Sequence, residues 1–328
     1  MQRLRSLPKA EVHLHIEGCL EPALLEALAR KSGEPMPRPS EELLRFSGLA
    51  DFLAFLDWAC GLVRTREQMA KIAYALAQRL AASGAGYADA IINPTHWTHW
   101  RHRVRELVEA LDAGFRAAEQ DRLPQVGLCI SVLREQSAAE ALELVDLLAK
   151  MGHPRVVALS VDGNEALAGR TGPRFADAFR RAGDRGLRRT VHAGESSGPE
   201  GVRDAIDLLG ADRIDHGVRA IEEPDLVRRL ADLRVPLGIC PSSNLTLGLY
   251  RTMAGHPIEA LRRAGVLVSV NTDDPALLGT TLEREYALCA EAFAWNDEVL
   301  RSVARTSIDA SFASAETKAR LSAALADW

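Results

Sequence analysis

Alternating apolar and polar positions near the start of the chain predict a β-strand. Over Glu11–Gly18 (E-V-H-L-H-I-E-G) apolar residues stand at every second position, with His13 and His15 between them. This period of two is typical of a strand, in which successive side chains point to opposite faces. Both imidazoles then project from one face while the apolar side chains pack on the other. Two imidazoles one strand step apart suit a metal ion such as zinc.

Short apolar runs alternate with helix-like segments along the rest of the chain. The runs that predict strands are 86–92, 125–132, 155–161, the segment around His192, 213–217, 236–239 and 265–270. The segments that predict helices are 21–31, 66–82, 104–120, 138–150, 173–185, 198–209, 224–233 and 257–263. Eight strands alternating with helices indicate a parallel sheet, and at 328 residues they predict a closed (β/α)8 barrel. We therefore expect one domain spanning residues 1–328.

One connection is longer than the others. Residues 32–82, between the first and second strands, begin with a proline-rich loop and continue into a segment rich in Leu and Phe over residues 41–58. We expect a helical insertion here. The insertion packs either on the barrel wall or over the site as an apolar lid. Residue spacing does not distinguish these two arrangements.

Composition narrows the class of protein. Hydrophobic residues make up 47% of the chain and charged residues 26%, which is ordinary for a soluble globular enzyme. The net charge is −5 and no basic stripe is present, so we expect no nucleic-acid partner. We find neither a signal peptide nor a membrane-spanning run, and we expect a cytoplasmic protein with no membrane association. Five scattered cysteines do not form a disulfide framework. No feature indicates the oligomeric state.

Polar residues of the kinds that bind metals recur where the predicted strands end. They are His13 and His15, the run 192–195 (H-A-G-E), the pair Asp215 and His216, and the run 271–275 (N-T-D-D-P). The chemistry of a (β/α)8 barrel takes place at the carboxyl ends of its strands. Three imidazoles and one carboxylate around a divalent ion leave one position open for water. The ion lowers the pKa of that water towards neutrality and so creates a nucleophile.

The acidic residues of these runs suggest separate roles. Asp273 and Asp274 are adjacent, and two buried carboxylates would repel each other. A metal ion bound by one of them relieves the repulsion and leaves the other to hold the substrate. Glu195 lies three residues beyond His192, within reach of a reacting centre without binding the metal, and can donate a proton.

Four motifs in order, H-L-H-I-E-G, V-H-A-G-E, R-I-D-H-G and N-T-D-D-P, resemble the adenosine deaminase family of metal-dependent hydrolases. The resemblance runs from residue 8 to about residue 290. It implies a (β/α)8 barrel enzyme with one zinc ion per chain. The resemblance does not exclude iron or another divalent ion in place of zinc. The ligands that it implies are His13, His15, His192 and Asp273.

The resemblance also implies how a substrate is held and changed. It implies that His216 orients the metal-bound water and that Glu195 protonates the purine ring at N1. Asp274 would accept a hydrogen bond from N7, and the backbone of Gly163 would contact N3. Water then adds at C6 and ammonia is released, so the expected substrate is a small 6-aminopurine.

Several positions depart from the family pattern and bear on the choice of substrate. Glu17 stands where the animal nucleoside enzymes carry an Asp that contacts the ribose, and Asp215 stands where they carry Gly. These residues and the run 240–244 (C-P-S-S-N) resemble the branch that acts on free adenine. Gly163 and the run 279–282 (G-T-T-L) are more similar to the nucleoside enzymes. We place adenosine first, with Glu17 among the substrate-binding residues. Adenine is the alternative, and a modified adenine nucleoside is a third possibility.

Other classes of function fit less well. A hydrolase of esters or amides on the same barrel would have no need of a proton donor for a ring nitrogen, the role assigned to Glu195. A metal-free binding protein ranks last because every ligand position is filled. The run 94–102, with three histidines and two tryptophans, has no nearby carboxylate or cysteine. It predicts a solvated loop or a pocket wall and not a second metal site.

Overall fold

A computed structural model describes residues 1–328 and contains eight parallel strands whose spatial order follows the chain order. The strands are β1 (Lys9–His15), β2 (Ala85–Ile92), β3 (Gln125–Leu133), β4 (Val156–Asp162), β5 (Arg188–Ala193), β6 (Arg213–His216), β7 (Leu237–Ile239) and β8 (Val268–Val270). Each strand pairs in parallel with the next one along the chain. The predicted (β/α)8 barrel is confirmed.

The barrel closes where the end of β8 meets β1. The Asn271 side chain replaces part of the backbone ladder, because its Oδ1 accepts hydrogen bonds from the N–H groups of Val12 (2.8 Å) and His13 (3.2 Å). Just beyond, the N–H of His15 donates to the carbonyl of Asp273 at 2.7 Å. The N–H of Asp273 donates to the carbonyl of His13 at 3.2 Å. The seam therefore joins two segments that carry predicted metal ligands.

Fifteen α-helices accompany the sheet. They are α1 (Gln2–Ser6), α2 (Pro22–Ser32), α3 (Leu49–Gly61), α4 (Arg66–Ser83), α5 (Val104–Gln120), α6 (Ala138–Met151), α7 (Glu165–Ala168), α8 (Gly172–Asp184), α9 (Pro199–Asp207), α10 (Pro224–Leu233), α11 (Pro241–Thr246), α12 (Ile258–Arg263), α13 (Leu282–Phe293), α14 (Asp297–Ala310) and α15 (Ala315–Ala326). None of them has the length and apolar character needed to cross a membrane.

The first strand is shorter than its pattern suggests. It ends at His15, and Glu17–Cys19 form a 3₁₀ turn. Gly18 lies so close to Asp274 that a Cβ atom there would fall 2.3 Å from the Asp274 Cα. Only glycine fits this close contact between the turn and the segment that follows β8. The expectation of a strand reaching Gly18 was wrong.

The long connection after β1 divides into two parts. Helix α4 begins at a capping box, in which Thr65 and Gln68 satisfy each other's backbone N–H groups, and it packs on α5 as part of the barrel's outer ring. The extra structure therefore lies before residue 66 and consists chiefly of α3. One face of α3 is buried through Phe52, Phe55 and Leu56.

Candidate active site

The histidines that the sequence singles out meet at the carboxyl ends of the strands. His13 and His15 belong to β1, His192 belongs to β5, and His216 is the last residue of β6. Asp273 follows β8 and is joined to β1 by the backbone hydrogen bonds of the barrel seam. Elements distant in the chain thus bring four imidazoles and a carboxylate together.

Four of these side chains point their ligand atoms at one centre. The Nε2 atom of His192 lies 3.1 Å from the Nε2 of His13 and 3.0 Å from the Nε2 of His15. The Oδ1 atom of Asp273 lies 3.2 Å from the Nε2 of His13 and 3.4 Å from that of His15. A tetrahedral ion with bonds of about 2.1 Å separates its ligands by about 3.4 Å. The four residues therefore fit an ion of the size of zinc.

Hydrogen bonds behind the cluster orient its ligands. The Nδ1 of His13 donates to the carbonyl of Gly238 at 2.8 Å, which leaves the Nε2 lone pair free for a metal. Asp215 lies behind two of the imidazoles, with carboxylate oxygens 3.9 Å from the Nδ1 of His13 and 3.7 Å from the Nδ1 of His192. Thr190 holds Asp215 in place by donating its hydroxyl to Oδ2 at 2.6 Å. A carboxylate in this position makes both imidazoles more basic ligands.

The electrostatics of the cluster favour one positive charge at its centre. Burial lowers the pKa of His13, but the carboxylates of Asp215 and Asp273 outweigh that effect and raise it to about 9. Burial, together with the charges of His13 and His15, lowers the pKa of His192 well below its usual range. Because the imidazoles cannot all be charged, the buried carboxylates are matched best by a bound cation.

A second group of side chains lies beside the ligands. The Nε2 of His216 is 3.5 Å from Oε1 of Glu195 and 3.8 Å from Oδ2 of Asp273. On its other side, the Nδ1 of His216 accepts a hydrogen bond from the Asn244 amide at 3.2 Å, and His256 donates to that amide's oxygen at 3.1 Å. This chain of hydrogen bonds places the proton of His216 on Nε2, facing Glu195 and Asp273.

The backbone at this centre is strained. His216 has φ +64° and Asp273 has φ +65°, in the left-handed region that non-glycine residues rarely occupy. Strain of this kind persists where the surrounding structure holds a residue for a functional purpose. Here it directs both side chains towards Glu195 and the ligand cluster.

Two buried carboxyl groups face the cavity in their neutral form. Burial raises the pKa of Glu195 to about 8, and the nearby charges of Asp273 and Glu165 act in the same direction. Burial and the charge of Asp273 also raise the pKa of Asp274 well above its usual range. The Oδ1 of Asp274 has no hydrogen-bond partner in the protein, which leaves it available to a ligand. Glu195 is available as a proton donor.

These groups line a narrow cavity of about 50 Å³. Its polar wall consists of His15, His96, Asp162, Gly163, His192, Glu195, His216, Asp273 and Asp274. Its apolar wall consists of Leu49, Phe52, Leu53, Leu56 and Leu247. All but the last of these apolar residues lie on α3, so the inserted helix forms one side of the cavity.

Glu17 is not on the cavity wall. Its side chain is buried, and Oε1 accepts hydrogen bonds from the N–H of Asn93 at 2.8 Å and the indole N–H of Trp97 at 2.6 Å. The loop after β2 thus uses Glu17 as an anchor. The same loop buries Trp97 and Trp100 and places His96 on the cavity wall, where its Nδ1 lies 2.6 Å from Asp57 of α3.

Sequence reasoning gave no role to several residues that shape the site. Ser243 donates its hydroxyl to Oδ2 of Asp273 at 2.6 Å, and Asn244 contacts His216 as described. Their run, C-P-S-S-N, was noted only for its resemblance to one branch of the family. Arg134 and Glu165 lie behind the site, where Arg134 donates to the carbonyl of His192 and Glu165 accepts from the N–H of Glu195. The only signal for them in the sequence is their position just after β3 and β4.

Nearly the whole chain matches known deaminases in sequence. A family model described as "Adenosine deaminase" matches residues 8–328. The chain is 37% identical over 318 residues to an adenine deaminase of Mesorhizobium japonicum, covering 97% of this chain and 98% of that protein. The expected family resemblance is confirmed.

Solved structures share the whole fold. The crystal structure of an adenine deaminase from Arthrobacter aurescens has a TM-score of 0.91 and 33% identity, and 98% of each chain is covered. An amidohydrolase from Burkholderia ambifaria with bound Zn has a TM-score of 0.90 and 28% identity, covering 99% of this chain and 91% of that one. An Arabidopsis N6-mAMP deaminase has a TM-score of 0.88 and 26% identity, and both chains are fully covered. On the evidence of its fold, its clustered ligands and these relatives, the chain belongs to the adenosine deaminase family and is a hydrolytic deaminase.

Proposed function

We propose that this enzyme deaminates free adenine to hypoxanthine and ammonia. The observation that carries the proposal is the position of Glu17. This residue stands where nucleoside enzymes contact the ribose. Here its Oε1 is engaged by Asn93 and Trp97, its Oε2 is buried without a partner in the protein, and it does not line the cavity. A site selective for a nucleoside needs polar groups that pair with the sugar hydroxyls. The relatives named as adenine deaminases support the same substrate.

This proposal reverses the order of substrates expected from the sequence. The sequence places adenosine first, because Gly163 and the run 279–282 are more similar to the nucleoside enzymes, and that preference is not confirmed. Helix α3 closes one side of the cavity with apolar side chains, which offer no hydrogen-bond partner to the hydroxyl groups of a sugar. Neither lysine nor arginine lines the cavity, so a nucleotide such as N6-methyl-AMP would lack a cationic partner for its phosphate.

We assign one zinc ion to His13, His15, His192 and Asp273. Their separations of 3.0–3.4 Å suit an ion of the size of zinc. When bound, such an ion acts as a Lewis acid that makes water nucleophilic near neutral pH. Asp215 lies behind His13 and His192, 3.9 and 3.7 Å from their Nδ1 atoms, and its negative charge makes both imidazoles stronger ligands.

The other side chains complete the reaction. His216, with its proton on Nε2, orients the attacking water between Glu195 and Asp273. Neutral Glu195 gives its proton to N1 of the ring. N1 can then take up one electron pair of the C6=N1 double bond as water adds at C6. Asp274, whose Oδ1 has no protein partner and whose pKa is raised, donates a hydrogen bond to the lone pair of N7, where the resemblance implied that it accepts one. The backbone of Gly163 lies beside N3. Of the two protons of the water, one restores Glu195 and the other protonates the amino nitrogen. The bond from C6 to that nitrogen then breaks, ammonia leaves, and the oxygen stays on C6 as the carbonyl of hypoxanthine.

A panel of substrates tests this assignment. Ammonia release is measured with adenine, adenosine and N6-methyl-AMP, for the wild-type enzyme and for Glu17→Asp. We expect adenine to be the preferred substrate of the wild type. The shorter Asp cannot hold both Asn93 and Trp97, so the variant should shift the kcat/KM ratio towards adenosine. A wild-type preference for the nucleotide or the nucleoside would contradict the proposal.

A further inference from the structure

The turn that carries Glu195 closes around a buried carboxylate from the helix that follows β4. Glu165, the first residue of α7, accepts hydrogen bonds from four consecutive backbone N–H groups of that turn. Its Oε1 accepts from Gly194 at 3.0 Å, and its Oε2 accepts from Glu195 at 2.8 Å, Ser196 at 3.2 Å and Ser197 at 3.4 Å. Successive N–H groups that point into one concavity form an anion-binding nest. Here the protein supplies the anion itself.

A buried arginine connects this carboxylate to the metal-ligand strand. Arg134, just after β3, has an Nη2 atom 3.7 Å from Oε1 of Glu165. The same guanidinium group donates to the carbonyl of His192, to the carbonyl of Gly163 at 3.2 Å and to the Thr171 hydroxyl at 2.8 Å. Arg134 is 5% exposed and Glu165 is 3% exposed. The pair therefore joins the ends of β3, β4 and β5 away from solvent.

The turn needs a glycine at its first residue and an acceptor for its N–H groups. Gly194 has φ +61°, and a Cβ atom there would lie 2.5 Å from Cγ2 of Val202. Without Glu165, the N–H groups of Gly194 and Glu195 would be left without acceptors in a buried region, and those of Ser196 and Ser197 in a half-buried one, which is unfavourable. The turn would then rearrange, and the Glu195 side chain would move with it.

We propose that Glu165, held by Arg134, is a positioning residue that sets the place of Glu195 relative to the substrate. The inference rests on the proposed role of Glu195 as proton donor. Glu165 itself touches neither the cavity nor the ligand atoms of the metal cluster, because it is absent from the wall and from the converging set. Its effect on the reaction passes through the backbone of residues 194–197.

The test compares Glu165→Gln and Glu165→Asp with the wild type. The full-length, zinc-loaded proteins are assayed with whichever of adenine and adenosine gives the higher kcat/KM. Zinc content and backbone hydrogen exchange of residues 193–198 are measured as well. Gln keeps the shape but offers an NH2 group to N–H donors. We expect Glu165→Gln to lower kcat by about 10- to 100-fold, since a displacement of about 1 Å has that effect. KM should stay within about threefold and zinc should be retained.

Hydrogen exchange and a double variant separate positioning from a general loss of structure. Exchange should be faster at residues 194–197 and unchanged elsewhere. In a Glu195→Gln background, Glu165→Gln should cause little further loss of kcat, because the two residues act as one unit. Asp112→Asn is the matched control. Asp112 is a buried carboxylate paired with Arg155 at 2.6 Å on α5, so its loss should lower stability and leave kcat unchanged.

Each possible outcome decides the question. A kcat for Glu165→Gln within twofold of the wild type would overturn the proposal, as would a full additional loss in the Glu195→Gln background. If Glu165→Gln does not fold, Glu165→Asp decides, since it keeps the charge but shortens the reach. It should show faster exchange at 194–197 and a lower kcat, and wild-type values for both would contradict the inference. If Glu195→Gln alone leaves kcat unchanged, the proposed proton donor is wrong and the positioning role falls with it.

Discussion

The Oδ1 atom of Asp273 lies 3.2 Å from the Nε2 atom of His13, across the seam where the last strand of the barrel meets the first. The backbones of the same two residues are hydrogen-bonded, with the N–H of Asp273 donating to the carbonyl of His13 at 3.2 Å. Closure of the barrel and assembly of the ligand cluster are thus the same structural event. A chain that fails to close this seam has no complete metal site.

The first prediction concerns the metal. The protein should bind about one divalent ion per chain, and His15→Ala or Asp273→Ala should lose both the ion and the activity, because each removes one of four ligands. Metal content by mass spectrometry and ammonia release are the measurements. His153→Ala is the control, since His153 lies by Asp112 on the outside of the barrel. Full turnover by metal-stripped enzyme would exclude this mechanism.

The second prediction concerns the proton donor. Glu195→Gln should keep the metal and bind substrate, yet lower kcat by about two to four orders of magnitude, because the amide cannot give a proton to the ring. Glu200→Gln, an exposed residue on the neighbouring α9, is the control and should behave as the wild type. Near-normal turnover by Glu195→Gln would mean that another group protonates the substrate.

The third prediction concerns Asp215. Replacing it with Asn removes the negative charge behind His13 and His192 while keeping the volume. Affinity for the metal should fall by about 10- to 100-fold, as is typical for residues that support metal-binding histidines. Competition with a chelator measures that affinity directly. Unchanged affinity would show that the charge of Asp215 is not needed and that the hydrogen bond from His13 to the carbonyl of Gly238 is sufficient.

The fourth prediction concerns α3, which we propose acts as a lid. Phe52 lies on the cavity wall, so Phe52→Ala should raise KM by about tenfold through the loss of about 1.4 kcal/mol of apolar contact with the substrate. Phe55 is equally buried on the same helix but does not line the cavity. Phe55→Ala should therefore lower the melting temperature and leave KM unchanged. Equal KM values for the two variants would argue against a lid.

Much of the fold could be predicted because a (β/α)8 barrel repeats one pattern. Most strands and helices begin and end within a few residues of their predicted limits. Helices α5 and α10 begin and end at the predicted residues. The pattern did not predict the three helices after β8. One of them, α14, packs against β1, and its Ser307 hydroxyl accepts from the N–H of Ala10 at 3.0 Å. Contacts between the two ends of a chain leave no periodic signal.

The candidate site could be predicted where chemistry is concentrated in short motifs. His13, His15, His192 and Asp273 converge as expected because each motif ends a strand of the same barrel. The role of Glu17 could not be predicted, since it depends on where Trp97 of a later loop is buried. Glu165 was missed for a related reason. Its partners are backbone N–H groups, which every sequence possesses.

The central claim is that this site deaminates the free base. The most direct test is the ratio of kcat/KM for adenine to kcat/KM for adenosine, measured by ammonia release with the zinc-loaded wild-type enzyme. We predict a ratio of at least about 10, equivalent to about 1.4 kcal/mol of transition-state preference. A ratio below 1 would contradict the account and would show that the sugar is accommodated despite the burial of Glu17.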